Sequence, residues 1–269
     1  MTYSTIKLSI ADQIAHVQLS RVEKLNAINK EMFYDIIAVI KQLKKDRTIR
    51  AVIVSGEGDN FSSGLDVKSV LASTSLAARF LAKLSPWHPN TAQRLNADWR
   101  KLPVPVIMAI HGRCWGGGMQ IALGADFRIA TPDASIAIME ARWGLIPDMG
   151  GTVGMREVIS QDHAKELAMT GKELTGDEAK AIGLITHVNE NPLAAAYELA
   201  NTIAKQSPDA VAAVKKLYNK SWWSGDGMAL ARETWYQIKV IFGKNRAIKG
   251  YNQTHGEDQQ KAFLPRKKW

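Results

Sequence analysis

The sequence predicts an α/β domain followed by an all-helical layer. Two patterns carry that prediction: short apolar runs closed by turn residues alternate with helix-period segments up to about Val188, and only helical periodicity follows Pro192. The composition agrees. Hydrophobic residues make up 46% and charged residues 23% of 269 residues, enough for a sizeable core without disulfide or metal staples. The single cysteine, Cys114, excludes an intrachain disulfide framework and a multi-cysteine zinc site, and it fits a reducing compartment. The start of the chain alternates polar and apolar residues with no signal-peptide core, and the longest apolar run, Pro103 to Ile110, is too short to span a bilayer. The expectation is a soluble, cytoplasmic protein with no membrane partner.

Residues 6–10 and 14–19 read as paired strands around an Ala-Asp-Gln turn. Asn29 can cap a helix that carries Met32, Phe33, Ile36, Ile37, Ile40 and Leu43 at helical spacing. Ala51 to Val54 is a short strand ended by Gly56, and Val104 to Ile110 is another. Residues 57–102 between them read as a long loop with a Gly-Leu-Asp turn and a variable stretch, Leu71 to Arg100, holding Pro86, Trp87 and Pro89. Met119 to Ala125 is amphipathic. Ala125 to Ala130, Ala134 to Met139 and Leu184 to Val188 read as later strands, with mostly parallel pairing. Helices are expected over Leu193 to Lys205, Ala210 to Tyr218, Met228 to Phe242 and Ala247 to Phe263, so the chain divides into a core, 1–191, and a helical region, 192–269.

Lysine and arginine number 35 against 26 acids, a net charge of +9. Net charge speaks to partners and steering rather than to fold. Much of the excess sits in two clusters, Lys41/Lys44/Lys45 with Arg47, and Arg266/Lys267/Lys268. A solvated helix face and a ragged terminus explain them at least as well as an anionic ligand does. With no zinc-finger spacing or arginine-rich tract, nucleic acid is not the expected partner.

Three segments can carry chemistry: Phe61-Ser-Ser-Gly-Leu-Asp66, Gly112-Arg-Cys-Trp-Gly-Gly-Gly-Met-Gln120 and Met139-Glu140 through Asp148 to Thr152. A triple glycine at a strand-to-helix junction lets backbone N–H groups approach a ligand, or simply makes a tight turn. It matches neither a P-loop nor a dinucleotide fingerprint. Glu140 and Asp148 stand in mostly apolar sequence and are candidate acid/base groups; a Glu140–Arg142 ion pair and a helix cap by Asp148 are equally open. Cys114 reads as a buried packing thiol, and His111 receives no chemical role.

Taken together, these segments resemble the enoyl-CoA hydratase/isomerase (crotonase) family. The Gly-Leu-Asp loop, the triple glycine some fifty residues later and Glu-x-x-x-Gly-x-x-Pro-x-x-Gly-Gly come in the family's order. Lys24-Leu-Asn-Ala-Ile28, Ala168-Met-Thr-Gly171, Ala179-x-x-x-Gly183-Leu184, Val188 and a tail with Glu257 and Phe263 extend the likeness over nearly the whole chain. The resemblance implies a crotonase-like ββα superhelix with a C-terminal helical layer, assembled as a homotrimer or hexamer. It also implies an acyl-CoA thioester substrate, with CoA entering as part of the substrate, no separate cofactor and no metal.

Residue by residue, the resemblance places an oxyanion hole at the backbone amides of Leu65 and Gly117. It places CoA contacts at Lys24, Leu25, Ala27, Ser63 and Asp66, with Lys261 and Phe263 of the tail reaching a neighbouring subunit's site. For Lys24 a merely solvated lysine, and for Asp66 a turn cap, are the plain alternatives. The family's hydratases carry a glutamate where this chain has Gln120, and a second where it has Glu140. An amide cannot transfer a proton, so the pattern is nearer the isomerases. Their dienoyl-CoA branch has an acid eight residues after the glutamate, the separation of Glu140 and Asp148, and an aspartate at the Gln120 position. The implied activity is a double-bond shift with Glu140 as base, Asp148 as partner acid and Gln120 as a positioning group. Hydration is the alternative within the family, and a non-catalytic acyl-CoA- or RNA-binding protein is the alternative outside it. Trp87 and Trp99 fall in the variable region that lines the acyl pocket in the family, and Trp143 follows Glu140 closely.

Overall fold

A computed structural model describes residues 3–71 and 74–269. Strands β1 (Ile6–Ala11) and β2 (Ile14–Leu19) form an antiparallel hairpin, as the alternation predicts. Helix α1 (Lys30–Lys45) starts where the Asn29 side chain accepts the Met32 amide at 3.0 Å, and it buries Met32, Phe33, Ile36, Val39, Ile40 and Leu43. Strand β3 (Ala51–Gly56) follows, buried at every position.

Among the described residues, the stretch read as a long loop holds three helices, α2 (Val67–Leu71), α3 (Thr74–Leu81) and α4 (Thr91–Arg100). For α4 the signal was present in the sequence. Asn90 and Gln93 form a reciprocal capping box, and Ala92, Leu95, Asn96 and Trp99 fall on one buried face. Trp99 is therefore core, fully buried, whereas Trp87 and Trp143 are exposed.

The rest of the core is β4 (Val106–Ile110), β5 (Arg113–Trp115), α5 (Gly117–Ala122), β6 (Phe127–Ala130), β7 (Ser135–Ala137), α6 (Gly151–Met155), α7 (Gln161–Thr170), β8 (Glu173–Leu174), α8 (Gly176–Ala181) and β9 (His187–Val188). The later strands are shorter than the apolar runs suggested. Leu184 and Ile185 are buried core residues ahead of β9, not part of it. Two sheets result, β1-β2-β3-β4-β6-β9, parallel beyond the first hairpin, and β5-β7-β8. Only two residues separate β4 from β5, and four separate β6 from β7, so the chain passes straight from one sheet to the other on each turn. That is the ββα superhelix.

The larger sheet is covered on both faces, which is why β3 and β4 are apolar throughout. Val52, Val54, Met108 and Ile110 face the main core, and Ala51, Ile53, Ile107 and Ala109 face Ala196 and Ala200 of α9 (Pro192–Ala204). Helices α10 (Pro208–Ser221), α11 (Asp226–Ile241) and α12 (Lys244–Thr254) complete the C-terminal layer. The last helix ends at Thr254 rather than near Phe263, because His255 and Gly256 are extended. The terminus is not ragged. Arg266 is buried, its backbone amide donates to the Arg47 carbonyl at 3.0 Å, and its guanidinium donates to the Asp46 carbonyl at 2.7 Å. Among the described residues, no helix is long and apolar enough to cross a membrane.

Candidate active site

Loops 21–28 and 60–66 are stitched edge to edge. Ile28 donates to the Gly64 carbonyl, Ser63 to the Leu25 carbonyl and Asp66 to the Ile28 carbonyl, all at 2.8–3.0 Å. Asn26 locks the pair: fully buried at φ 54°, it donates through Nδ2 to the carbonyls of Glu57 and Asn60. Arg21 closes the other side with an ion pair to Asp66 at 2.9 Å and a hydrogen bond to the Ala27 carbonyl. Asp66 also accepts from the Ser69 amide, the capping role open to it in the sequence, and its carboxyl is held below the usual range by Arg21 and Ser69 against the effect of burial.

This stitching leaves the Leu65 amide without a protein acceptor among the described residues, because the parallel bridge to Ile28 uses its neighbours. The Gly117 amide, first in α5, is likewise free. The two amides lie together. A Cβ at Gly117 would stand 3.4 Å from the Leu65 nitrogen, and one at Gly64 would stand 3.3 Å from the Gly117 nitrogen. Gly116 makes the approach possible with φ 48° and ψ −116°, a conformation that side chains resist. Backbone donors without a protein acceptor are uncommon away from the surface, and here two converge, one on buried Gly117 and one on half-buried Leu65.

Glu140 opens a short helical turn beside them, with its Oε1 3.3 Å from where a Gly116 Cβ would be. Gln120 is fully buried and hydrogen bonded at both ends of its amide. Its Oε1 accepts from the backbone amides of Met149, at 2.8 Å, and Gly151, at 3.2 Å. Those groups can only donate, so Nε2 must face Glu140, to which it donates at 2.5 Å. The second carboxylate oxygen of Glu140, Oε2, is buried with no partner among the described residues. Burial pushes the Glu140 carboxyl above the usual glutamate range; its own backbone amide and Gln120 pull it down, and the nearby Asp148 pushes it further up. Asp148, exposed toward a cleft, is also pushed up, chiefly by loss of water on its protein side. The Glu140–Arg142 ion pair does not form, because Arg142 pairs with Glu173 at 3.0 Å.

The model of the family described as enoyl-CoA hydratase/isomerase matches residues 9–249. The chain belongs to the enoyl-CoA hydratase/isomerase family. A mitochondrial Δ(3,5)-Δ(2,4)-dienoyl-CoA isomerase of Mus musculus is 34% identical over 218 residues, covering 78% of this chain and 67% of that one. The crystal structure of an enoyl-CoA hydratase from Thermoplasma volcanium GSS1 superposes with a TM-score of 0.83 at 29% identity, over 94% of this chain and 98% of that one. That of an enoyl-CoA hydratase from Bacillus anthracis gives a TM-score of 0.86 at 26% identity, over 97% and 99%.

Within this enoyl-CoA hydratase/isomerase fold, Leu65, Gly117, Gln120 and Glu140 come together, with Asp148 in electrostatic reach of Glu140. Lys24, Leu25, Ala27, Ser63 and Asp66 share the stitched loop pair, Lys24 and Leu25 exposed. Lys261 and Phe263 do not join them within the chain. The Lys261 ammonium sits 3.8 Å from the Tyr251 ring centroid, and Phe263 lies under the Arg50 guanidinium at 5.0 Å. Cys114 is fully buried beside Met119, and burial pushes its thiol up, which leaves it inert.

Two contributors went unread in the sequence. Asn96, buried on α4, donates to the Gln120 carbonyl at 2.7 Å; an amide on an otherwise apolar helix face was the available signal. Met149 puts its Sδ 3.1 Å from the would-be Gly117 Cβ and so walls the space beside the two free amides, a contact no spacing rule reveals. Behind Met149 opens a cleft of about 1200 Å³ lined by Asn96, Pro147, Asp148 and Gly150.

Proposed function

We propose that this protein shifts double bonds in unsaturated acyl-CoA thioesters by proton transfer, as an enoyl-CoA or dienoyl-CoA isomerase. The observation that carries this reading is the state of Gln120. Its oxygen is committed to two backbone donors and its nitrogen to Glu140, so it has neither a proton to transfer nor a lone pair with which to hold an attacking water. Hydration would then rest on Glu140 alone. Isomerisation needs one base and one acid, and Glu140 and Asp148 supply them.

In this mechanism the thioester carbonyl accepts hydrogen bonds from the Leu65 and Gly117 amides. The Glu140 carboxylate removes a proton from the carbon next to the carbonyl, and the electron pair moves onto the thioester oxygen as an enolate. Fixed backbone dipoles aimed at that oxygen need no reorganisation as charge develops; removing one such donor elsewhere costs roughly 10²–10³ in rate. The enolate re-forms the carbonyl as a proton arrives at the far end of the conjugated chain from Asp148, whose raised pKa helps it keep that proton. The relatives named as dienoyl-CoA isomerases support the assignment. CoA enters with the substrate, no separate cofactor takes part, and the protein works in the cytoplasm. The exposed apolar side chains of the helical layer, among them Trp222, Leu230, Trp235 and Phe242, suit burial between copies in a homotrimer or hexamer.

Deuterium incorporation in D₂O tests the mechanism, with 2-enoyl-, 3-enoyl- and 3,5-dienoyl-CoAs and the variants Glu140→Gln and Asp148→Asn. Labelled positional isomers, reduced about 10²–10⁴-fold in Glu140→Gln, are expected. Dependence on Asp148 only with the dienoyl substrate marks the dienoyl activity. A 3-hydroxyacyl product in place of isomers overturns the reading in favour of hydration.

A further inference from the structure

The 147–151 segment is the wall between the reacting groups and the cleft. Met149 touches the Gly117 side, and its neighbours Asp148 and Gly150 line the cleft. Asp148 is the group common to both: on the isomerase reading, an acyl chain held by its thioester at Leu65 and Gly117 has its far end at Asp148, and beyond Asp148 lies that cleft.

The lining is mixed: apolar side chains such as Trp87, Leu102, Val153 and Trp223 suit the alkyl part of an acyl chain, and cations stand among them. Thirteen lysines and arginines line the cleft against two acids, Asp148 and Glu157. Some of the cations are already neutralised: Arg100 pairs with Glu157 at 2.6 Å, and Lys215 with Asp126 at 2.7 Å. Arg156 and Lys216 have no carboxylate partner among the described residues. Arg156 follows α6, eight residues after Asp148, and its guanidinium lies 5.4 Å from the centroid of the Trp223 ring. An aromatic face under the guanidinium restrains its plane and leaves its N–H edge free for a planar anion. Lys216 is half-buried, and burial together with Lys220, Lys239 and Lys44 disfavours its charged form. Like charges gathered this way repel until an anion enters.

We propose that the preferred acyl groups of this enzyme carry a carboxylate at the end remote from the thioester, received by Arg156 with Lys216 lining the same cleft. The inference rests on the isomerase reading above, from which it takes the direction of the acyl chain. A methyl terminus makes no use of either cation. A terminal carboxylate gains a charge-assisted hydrogen bond from Arg156 and relieves the repulsion around Lys216.

The test compares 3-octenoyl-CoA with the monothioester of 3-octenedioic acid, identical except for the distal carboxylate, on the wild type, Arg156→Met, Arg156→Lys and Lys216→Met. The expected kcat/KM favours the carboxylate by about tenfold or more. Arg156→Met removes most of that ratio, Arg156→Lys retains part of it, and Lys216→Met lowers it less. Equal kcat/KM for the two thioesters overturns the inference, as does a loss in Arg156→Met that is the same for both. Calorimetric binding of octanoyl-CoA and suberyl-CoA separates the two readings. If neither unsaturated thioester is isomerised, the isomerase reading fails, yet tighter suberyl-CoA binding that is lost in Arg156→Met keeps the distal carboxylate site. A cleft that ignores both and binds a short single-stranded RNA at physiological salt belongs to a polyanion, and the proposal is wrong.

Discussion

On its inner side the 147–151 segment meets Gln120, where each end of the amide is matched: two backbone donors on the oxygen and one carboxylate on the nitrogen. On its outer side the same segment borders a cleft in which only some of the cations are paired: Lys216 is set among other lysines, and Arg156 has no carboxylate partner among the described residues. Both regions are polar, yet only the Gln120 amide has its oxygen and nitrogen both taken up by the protein. The Gln120 bond there holds one oxygen of Glu140 and leaves the other unpartnered among the described residues. The outer region keeps its electrostatic potential for something that arrives from outside.

The contrast can be broken most sharply from the inner side. Gly117→Ala brings a Cβ to 3.1 Å from Met149 Sδ, 3.2 Å from Ile28 Cδ1 and 3.4 Å from the Leu65 nitrogen. Filling the space where the thioester oxygen would sit should lower kcat by about 10²–10³, the scale of a lost oxyanion donor. Steady-state kinetics beside a circular-dichroism melt will show whether activity falls while the fold persists.

Gln120→Leu comes next, and it acts on stability. It strands the Met149 and Gly151 amides, at about 1–3 kcal/mol for each buried donor left unpaired. Urea denaturation should record a loss of that order; a loss below about 1 kcal/mol would show that the Gln120 amide is not matched as described.

Glu140→Gln gives a smaller effect whose size depends on pH. Because the folded-state pKa of Glu140 is raised, ionisation is disfavoured in the native state, so the wild type gives up stability as pH rises through the usual glutamate range and on to the raised value. The variant has no such loss. Its melting temperature should exceed that of the wild type at pH 7, and the gap should close below about pH 4, where glutamate is protonated folded or unfolded. A gap that widens in acid would mean the carboxylate is stabilised, not strained, by its surroundings.

Lys216→Met probes the outer side and should give the smallest change. Removing one of several repelling ammonium groups should raise stability by less than about 1 kcal/mol at low salt. The gain should fade near 1 M salt, where the screening length is about 3 Å. A gain insensitive to salt would be packing, not charge.

Much of this protein was legible in its sequence because the signals were local. Alternation predicted the β1–β2 hairpin, helical spacing behind Asn29 predicted α1, and the ordered run of Gly64-Leu-Asp66, Gly116 to Gly118 and Glu140 to Gly151 predicted the fold. Proline and tryptophan between residues 86 and 89 masked the Asn90–Gln93 cap, so α4 was read as loop. The two basic clusters were read apart, as a helix face and a loose end. Only the folded chain shows that Arg47 and Arg266 are joined through the backbone and that both clusters face one cleft.

The sequence by itself determined the family, the absence of an acid at residue 120 and the presence of acids at 140 and 148, since residue identity is chemistry whatever the fold. Tertiary structure decided which way the Gln120 amide points, that the Leu65 and Gly117 amides converge, and that Lys44 stands near Lys216. Each of these depends on groups distant in the chain meeting at hydrogen-bond or Coulomb range, and local patterning carries no information about such meetings until the sheets and helices have packed.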